Sequence, residues 1–182
     1  MDLETEILRE HSKRQALRIA SWVGHDRRRF RRLVELFLKG DRLITQRSAW
    51  VVGVCAESHP ELVRPHLKQL VKKMQEPDVH DAVKRNIVRI LQTADIPNDL
   101  LGTVATLCFE YLGSPNTPIA VRAFSMTVLA NIAQREPDLE RELRLVIEQQ
   151  LPYGSAGIRA RARKVLKMLG DTQKERQLPQ RH

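Results

Sequence analysis

Aromatic residues are scarce in this chain, with two Trp, two Tyr and four Phe among 182 residues. That scarcity argues against recognition of single-stranded nucleic acid by stacking bases on rings. Cysteine is scarcer still. Cys55 and Cys108 each sit in an apolar stretch with no second Cys at ligand spacing, which excludes a disulfide framework and a zinc finger and fits two buried thiols in a reducing compartment. No apolar run approaches the length of a membrane span. Met1 to Glu10 alternates charged and apolar residues, without the basic and apolar regions of a secretory signal, so a cytoplasmic protein with no membrane insertion is expected.

Chemistry-bearing motifs are missing as well. His11, His25, His59, His66, His80 and His182 form no pair at helical i, i+4 or finger spacing, so no metal is expected. There is no Gly-rich phosphate loop, no Gly-x-Ser-x-Gly elbow and no capable Ser-x-x-Lys, so neither a cofactor nor a nucleophile with its base is expected. Acidic pairs such as Asp78 with Asp81 and Asp95 with Asp99 fall at helix starts, where the helix dipole and capping account for them.

What is present is an internal repeat. Leu, Val, Ile and Ala dominate the apolar residues, and the eight Gly and nine Pro fall between apolar runs, a helical balance with no strands expected. The set Thr45, Ala49, Val52, Gly53, Ala56 recurs as Val83, Ile87, Ile90, Leu91, Ala94, then as Val121, Ser125, Val128, Leu129, Ile132, and as Ile158, Ala162, Val165, Leu166, Leu169. Steps of 4, 3, 1 and 3 place each set along one stripe of a helix, and the starts are 38, 38 and 37 residues apart. A second series interleaves: Phe30, Leu33, Val34, Phe37; Leu67, Leu70, Val71, Met74; Val104, Leu107, Cys108, Tyr111; Leu143, Val146, Ile147, Gln150. Each unit is therefore a hairpin of two amphipathic helices. Extrapolating backwards puts Leu8, Ser12, Gln15, Ala16 and Ile19 on a weaker first helix, as a terminal repeat with one face in water would have.

Punctuation agrees with the period. Pro60, Pro97 and Pro137 fall between the two helices of their units, and Gly40, Gly113 and Gly154 close second helices. Asp26 and Asn98 are placed to cap second helices. Asp78, Asn116 or Thr117, and Ser155 are placed to cap first ones. The reading is one repeat domain over residues 1–169 and a frayed tail over 170–182, where periodicity is lost.

A hairpin of this length, with a basic residue just after the first core position (Lys84, Arg122 and Arg159, with Gln46 and then Arg47 in the second unit), resembles the HEAT and armadillo superfamily over Leu8 to Leu169. The resemblance implies an all-α, right-handed α-α superhelix of about four and a half hairpins, with second helices lining a concave face. It implies binding, and no reaction.

With 31 Lys and Arg against 22 Asp and Glu, the net charge of +9 favours acidic partners. The densest basic segment is Arg27, Arg28, Arg29, Arg31 and Arg32, interrupted by the core residue Phe30. Arg28 and Arg32 share one face, as do Arg27 and Arg31. With Lys68 and Lys72 on the next second helix they form the candidate binding surface. The plainer reading is a solvated face, and it applies equally to Lys84, Arg85 and Arg89 and to Arg159, Arg161, Arg163, Lys164 and Lys167 on the last helix. From Leu100 to Leu112 there is one charge, Glu110. Leu101, Ala105, Phe109 and Leu112 then exceed the core stripe, and Leu101 and Phe109 join the candidate surface as a partner-facing apolar patch.

Trp22 and Asp26, spaced Trp-x-x-x-Asp, are similar to a fragment of the HEAT-like alkylpurine DNA glycosylases, and that resemblance implies base excision at Asp26. The plainer reading is an apolar plug followed by a helix N-cap. The expected function is a non-enzymatic scaffold that binds an acidic protein segment. Nucleic-acid binding through the same basic helices is the alternative, and nothing in the pattern sets an oligomeric state.

Overall fold

The apolar stripes of the repeat land on helices. The computed structural model describes residues 1–177, with side chains through residue 170. Among the described residues there are ten α-helices, three short 3-10 turns and no strand. Contacts divide the chain into two compact units, Met1–Leu100 and Leu101–His182, where the sequence suggested one domain. In a repeat chain each hairpin touches its neighbours alone, so contacts cluster by runs of consecutive elements.

The first unit holds α1 (Leu3–Arg9), α2 (Lys13–Val23), α3 (Arg27–Lys39), α4 (Arg42–Ser58), α5 (Leu67–Met74) and α6 (Asp81–Leu91). Helix α4 packs against α1, α2, α3 and α6, which explains why it is buried nearly all round through Ile44, Ser48, Ala49, Val51, Val52, Gly53, Cys55 and Ala56. Small residues on such a helix let four neighbours approach. Ser48 is tolerated there because its hydroxyl donates to the Ile44 carbonyl at 2.6 Å. Helix α3 is one-sided instead, with Phe30, Leu33, Val34, Leu36 and Phe37 buried and arginines outward.

Helix α4 begins at Asp41, whose carboxylate accepts from the backbone N–H groups of Leu43 and Ile44, both at 2.9 Å. Asp41→Ala removes that acceptor, and the unit is expected to lose about 1 kcal/mol. Urea unfolding followed by tryptophan fluorescence checks this, because Trp50 lies on α4 itself. The α3–α4 turn requires Gly40. A Cβ there would lie 2.5 Å from the Leu36 carbonyl oxygen and 2.6 Å from Ile44 Cγ2, so the turn leaves no room for a side chain.

The second unit comprises α7 (Asn98–Gly113), whose first turn crosses the boundary, with α8 (Ile119–Arg135), α9 (Leu139–Gln150) and α10 (Ala156–Gln177). Helix α8 packs on α9 and α10 and buries Val121, Ala123, Ser125, Met126, Val128, Leu129, Ala130, Ile132 and Ala133. Gln150, a polar residue at a core position, is satisfied from both sides. It accepts from Arg122 Nη2 at 2.7 Å and donates to the Leu112 carbonyl at 2.6 Å. The recurrent basic residue of the repeat is thus a clamp on a neighbouring element. Arg159 likewise donates to the Gly154 carbonyl at 2.6 Å, and Arg47 to that of Leu8 at 2.5 Å.

Several local expectations are corrected. The first stripe does not run through one helix: the chain breaks after α1, Leu8 is exposed, and Ser12 caps α2 by accepting from Gln15 N–H at 3.1 Å. Gln15 is buried and donates to the Glu6 carbonyl at 2.7 Å, so a polar residue ties α1 to α2. Ala94 lies beyond the end of α6. His80, not Asp78, caps α6, its Nδ1 accepting from Ala82 N–H at 3.1 Å. Asp78 instead takes φ 57° in the preceding turn, a conformation that Asp tolerates better than most residues. Pro118, rather than Asn116 or Thr117, precedes α8. Helix α10 continues past Gly170 to Gln177, because intrahelical hydrogen bonds and good helix formers such as Gln, Lys, Glu and Arg do not need an apolar stripe. Residues 178–182 of the expected tail lie outside the described residues.

Candidate binding groove

Helix α3 carries the arginine cluster because Asp26 starts it there. The Asp26 carboxylate accepts from Arg28 N–H at 2.8 Å and Arg29 N–H at 3.1 Å. The Arg29 amide, with that of Arg28 and the two guanidinium charges, holds this carboxyl below its ordinary value. Arg29 is committed to structure. Its guanidinium stacks 4.4 Å from the Trp22 ring centroid, donates to the Trp22 carbonyl at 2.5 Å and lies 3.3 Å from Asp26. Trp22 and Asp26 are therefore used as a plug and a cap, and that engagement does not support the base-excision reading.

The remaining arginines divide between groove and surface. Arg32 pairs with Glu35 at 3.4 Å, whereas Arg27, Arg28 and Arg31 meet no carboxylate within ion-pair distance among the described residues. Arg31, Glu35, Leu38 and Lys39 form one wall of a groove of about 320 Å³, faced across it by His66, Gln69, Lys72, Lys73 and Glu76 from α5 and its flanks. Both carboxylates have partners, Glu35 in Arg32 and Glu76 in Lys73 at 2.6 Å. Arg31, Lys39 and Lys72 are left uncompensated. His66 packs edge-on against Phe30 with centroids 5.6 Å apart. Burial holds its ring below the ordinary value, Arg31 adding to the effect while Gln69 and Glu35 oppose it. A second cavity of about 390 Å³ shares Leu38, Lys73 and Glu76 and extends the groove toward Arg42, Val79 and His80.

Of the residues singled out in the sequence, Arg31 and Lys72 come together in this groove. Arg27, Arg28, Arg32 and Lys68 are exposed on the same helices but do not line it. Leu101 is not available to a partner-facing patch. Leu101 is 6% exposed, as is Ala105, Leu112 is fully buried and Phe109 is half-buried, because α7 buries two stripes where one was counted. Among the distal basic residues, Arg161 donates to Thr127 Oγ1 at 2.8 Å, while Arg163, Lys164 and Lys167 are exposed. Lys39, Lys73, Glu35 and Glu76 were missed by reading charge density alone. The signal available was positional: Gln69, Lys72 and Lys73 fall on the stripe between the core positions of α5, with Glu76 just beyond its end, as Arg31, Glu35, Leu38 and Lys39 do on α3.

Both cysteines are buried and free, and burial pushes each thiol up to about 12, as expected of inert core thiols. At the turns after α2 and α4, His25 and His59 converge on Glu61, a grouping with metal-ligand spacing that no search for local pairs finds. No helix among the described residues is long and apolar enough to cross a membrane.

A family model described as a HEAT repeat domain matches residues 3–169. No curated protein and no solved structure matches the chain.

Proposed function

Because the chain belongs to the HEAT repeat family, whose helical-hairpin scaffolds generally bind rather than catalyse, we propose that it is a non-enzymatic module that holds an acidic protein segment in the α3–α5 groove. The observation that carries this reading is the placement of three uncompensated cations, Arg31, Lys39 and Lys72, along one groove. Arg31 offers a planar fork suited to a carboxylate, while the two lysines act as point charges.

A peptide fits this lining better than a nucleic acid does. Duplex DNA carries about one charge per 1.7 Å of axis, and such a backbone would run past Glu35 and Glu76 as well as past the cations. A peptide can set carboxylates opposite Arg31, Lys39 and Lys72 and place an apolar side chain against Leu38. The low aromatic content adds to the case against single strands. Because exposed pairs are individually weak, affinity should come from several contacts and fall with salt.

Fluorescence anisotropy tests the reading directly. A labelled peptide of mixed Glu and Leu is expected to bind the full chain more tightly than a labelled duplex oligonucleotide at each salt concentration. A duplex that binds more tightly than the peptide throughout would overturn the proposal and assign the groove to nucleic acid.

A further inference from the structure

His25 lies in the turn between α2 and α3, His59 at the C-terminal end of α4, and Glu61 in the 3-10 turn Pro60–Leu62. Gly24, at φ 49°, turns the chain after α2 immediately before His25. The two histidines are 34 residues apart in the sequence, yet their ring centroids are 3.9 Å apart. His25 Nδ1 lies 3.2 Å from Glu61 Oε1, and His59 Nδ1 lies 3.7 Å from the same oxygen. All three donor atoms fall within 4.8 Å of one another.

We propose that His25, His59 and Glu61 form a Zn²⁺ site that clips the turn of the first hairpin to that of the second. The spacing carries the inference. With zinc–ligand bonds of about 2.0–2.1 Å, tetrahedral ligands sit about 3.3–3.4 Å from one another, and the separations of 3.2 and 3.7 Å to Glu61 straddle that value. The donor set suits the ion, since two neutral imidazoles and one carboxylate match a borderline-soft divalent cation. Glu61 supplies the counter-charge that a basic chain needs there. The side chains of His25 and Glu61 are 80% and 53% exposed and that of His59 20%. The ion can therefore enter from solvent, and a fourth position stays open to water.

The test is calorimetric titration of Zn²⁺ into the full, untagged chain, with histidine ring signals followed by NMR. One equivalent is expected to bind, moving the His25 and His59 ring resonances and leaving that of His11 in place. Loss of an outer-sphere partner alone costs roughly 10- to 100-fold in affinity, so His25→Gln and Glu61→Gln are each expected to weaken binding more than about a hundredfold. Both side chains are mostly exposed, so unchanged far-UV circular dichroism is expected, and these two variants carry the test even if His59→Gln destabilises the fold. Undiminished affinity in both variants, or a titration with neither heat nor ring shifts, overturns the site.

Discussion

The double variant Arg31→Glu, Lys72→Glu is expected to lose binding of the acidic peptide by about tenfold or more while its circular dichroism spectrum and melting temperature stay those of the parent. Exposed ion pairs contribute roughly 0.2–1 kcal/mol each, and each tenfold in affinity is about 1.4 kcal/mol. Two reversals remove two such contacts and add repulsion. Both side chains are exposed and neither has an ion-pair partner among the described residues, so folding should not register the change. The control is Arg163→Glu, Lys164→Glu on α10, which changes the net charge equally but lies far along the chain from the groove helices. Anisotropy on the three proteins separates the cases. Equal losses in both variants would mean that bulk charge attracts the peptide, and full retention in the groove variant would remove the α3–α5 groove as its site.

The second large effect is on stability. Phe37 is fully buried on the inner face of α3, the helix that presents Arg31. Phe37→Ala is expected to cost about 3–5 kcal/mol, from lost transfer free energy and the cavity left behind. A typical domain has only about 5–15 kcal/mol in total. The two tryptophans, Trp22 and Trp50, both lie within the unit Met1–Leu100, so urea unfolding followed by their fluorescence reports on the unit that contains Phe37. A shift below about 1 kcal/mol would show that the site collapses around the vacancy and that α3 is not anchored by this ring.

How far each conclusion could be read from residue order follows from the range of the interactions. The stripe Phe30, Leu33, Val34, Phe37 was legible because one helix repeats its facing every three or four residues, and all four side chains are buried. The Asp26 cap was legible for the same reason, since its acceptor serves amides two and three residues on. The break at α1 was not, because Leu8 keeps the spacing of a core residue while the chain turns before Ser12. Leu101 was misread in the opposite direction. One helix seen alone has one apolar face to spare, and burial of a second stripe depends on how many neighbours cover it.

By itself, then, the amino-acid order determined that this chain folds into recurring helical hairpins, where most of them start and stop, and that its surface is basic. Those properties rest on hydrogen bonds, caps and apolar stripes that act within a few residues. The tertiary structure decided which charges are free and which are spent, bringing Arg31 opposite Lys72 and committing Arg29 to Trp22. It also set His25 beside His59. These pairings are made by packing helices whose residues are tens of positions apart, and no local spacing encodes the distance at which two packed helices hold their outward side chains.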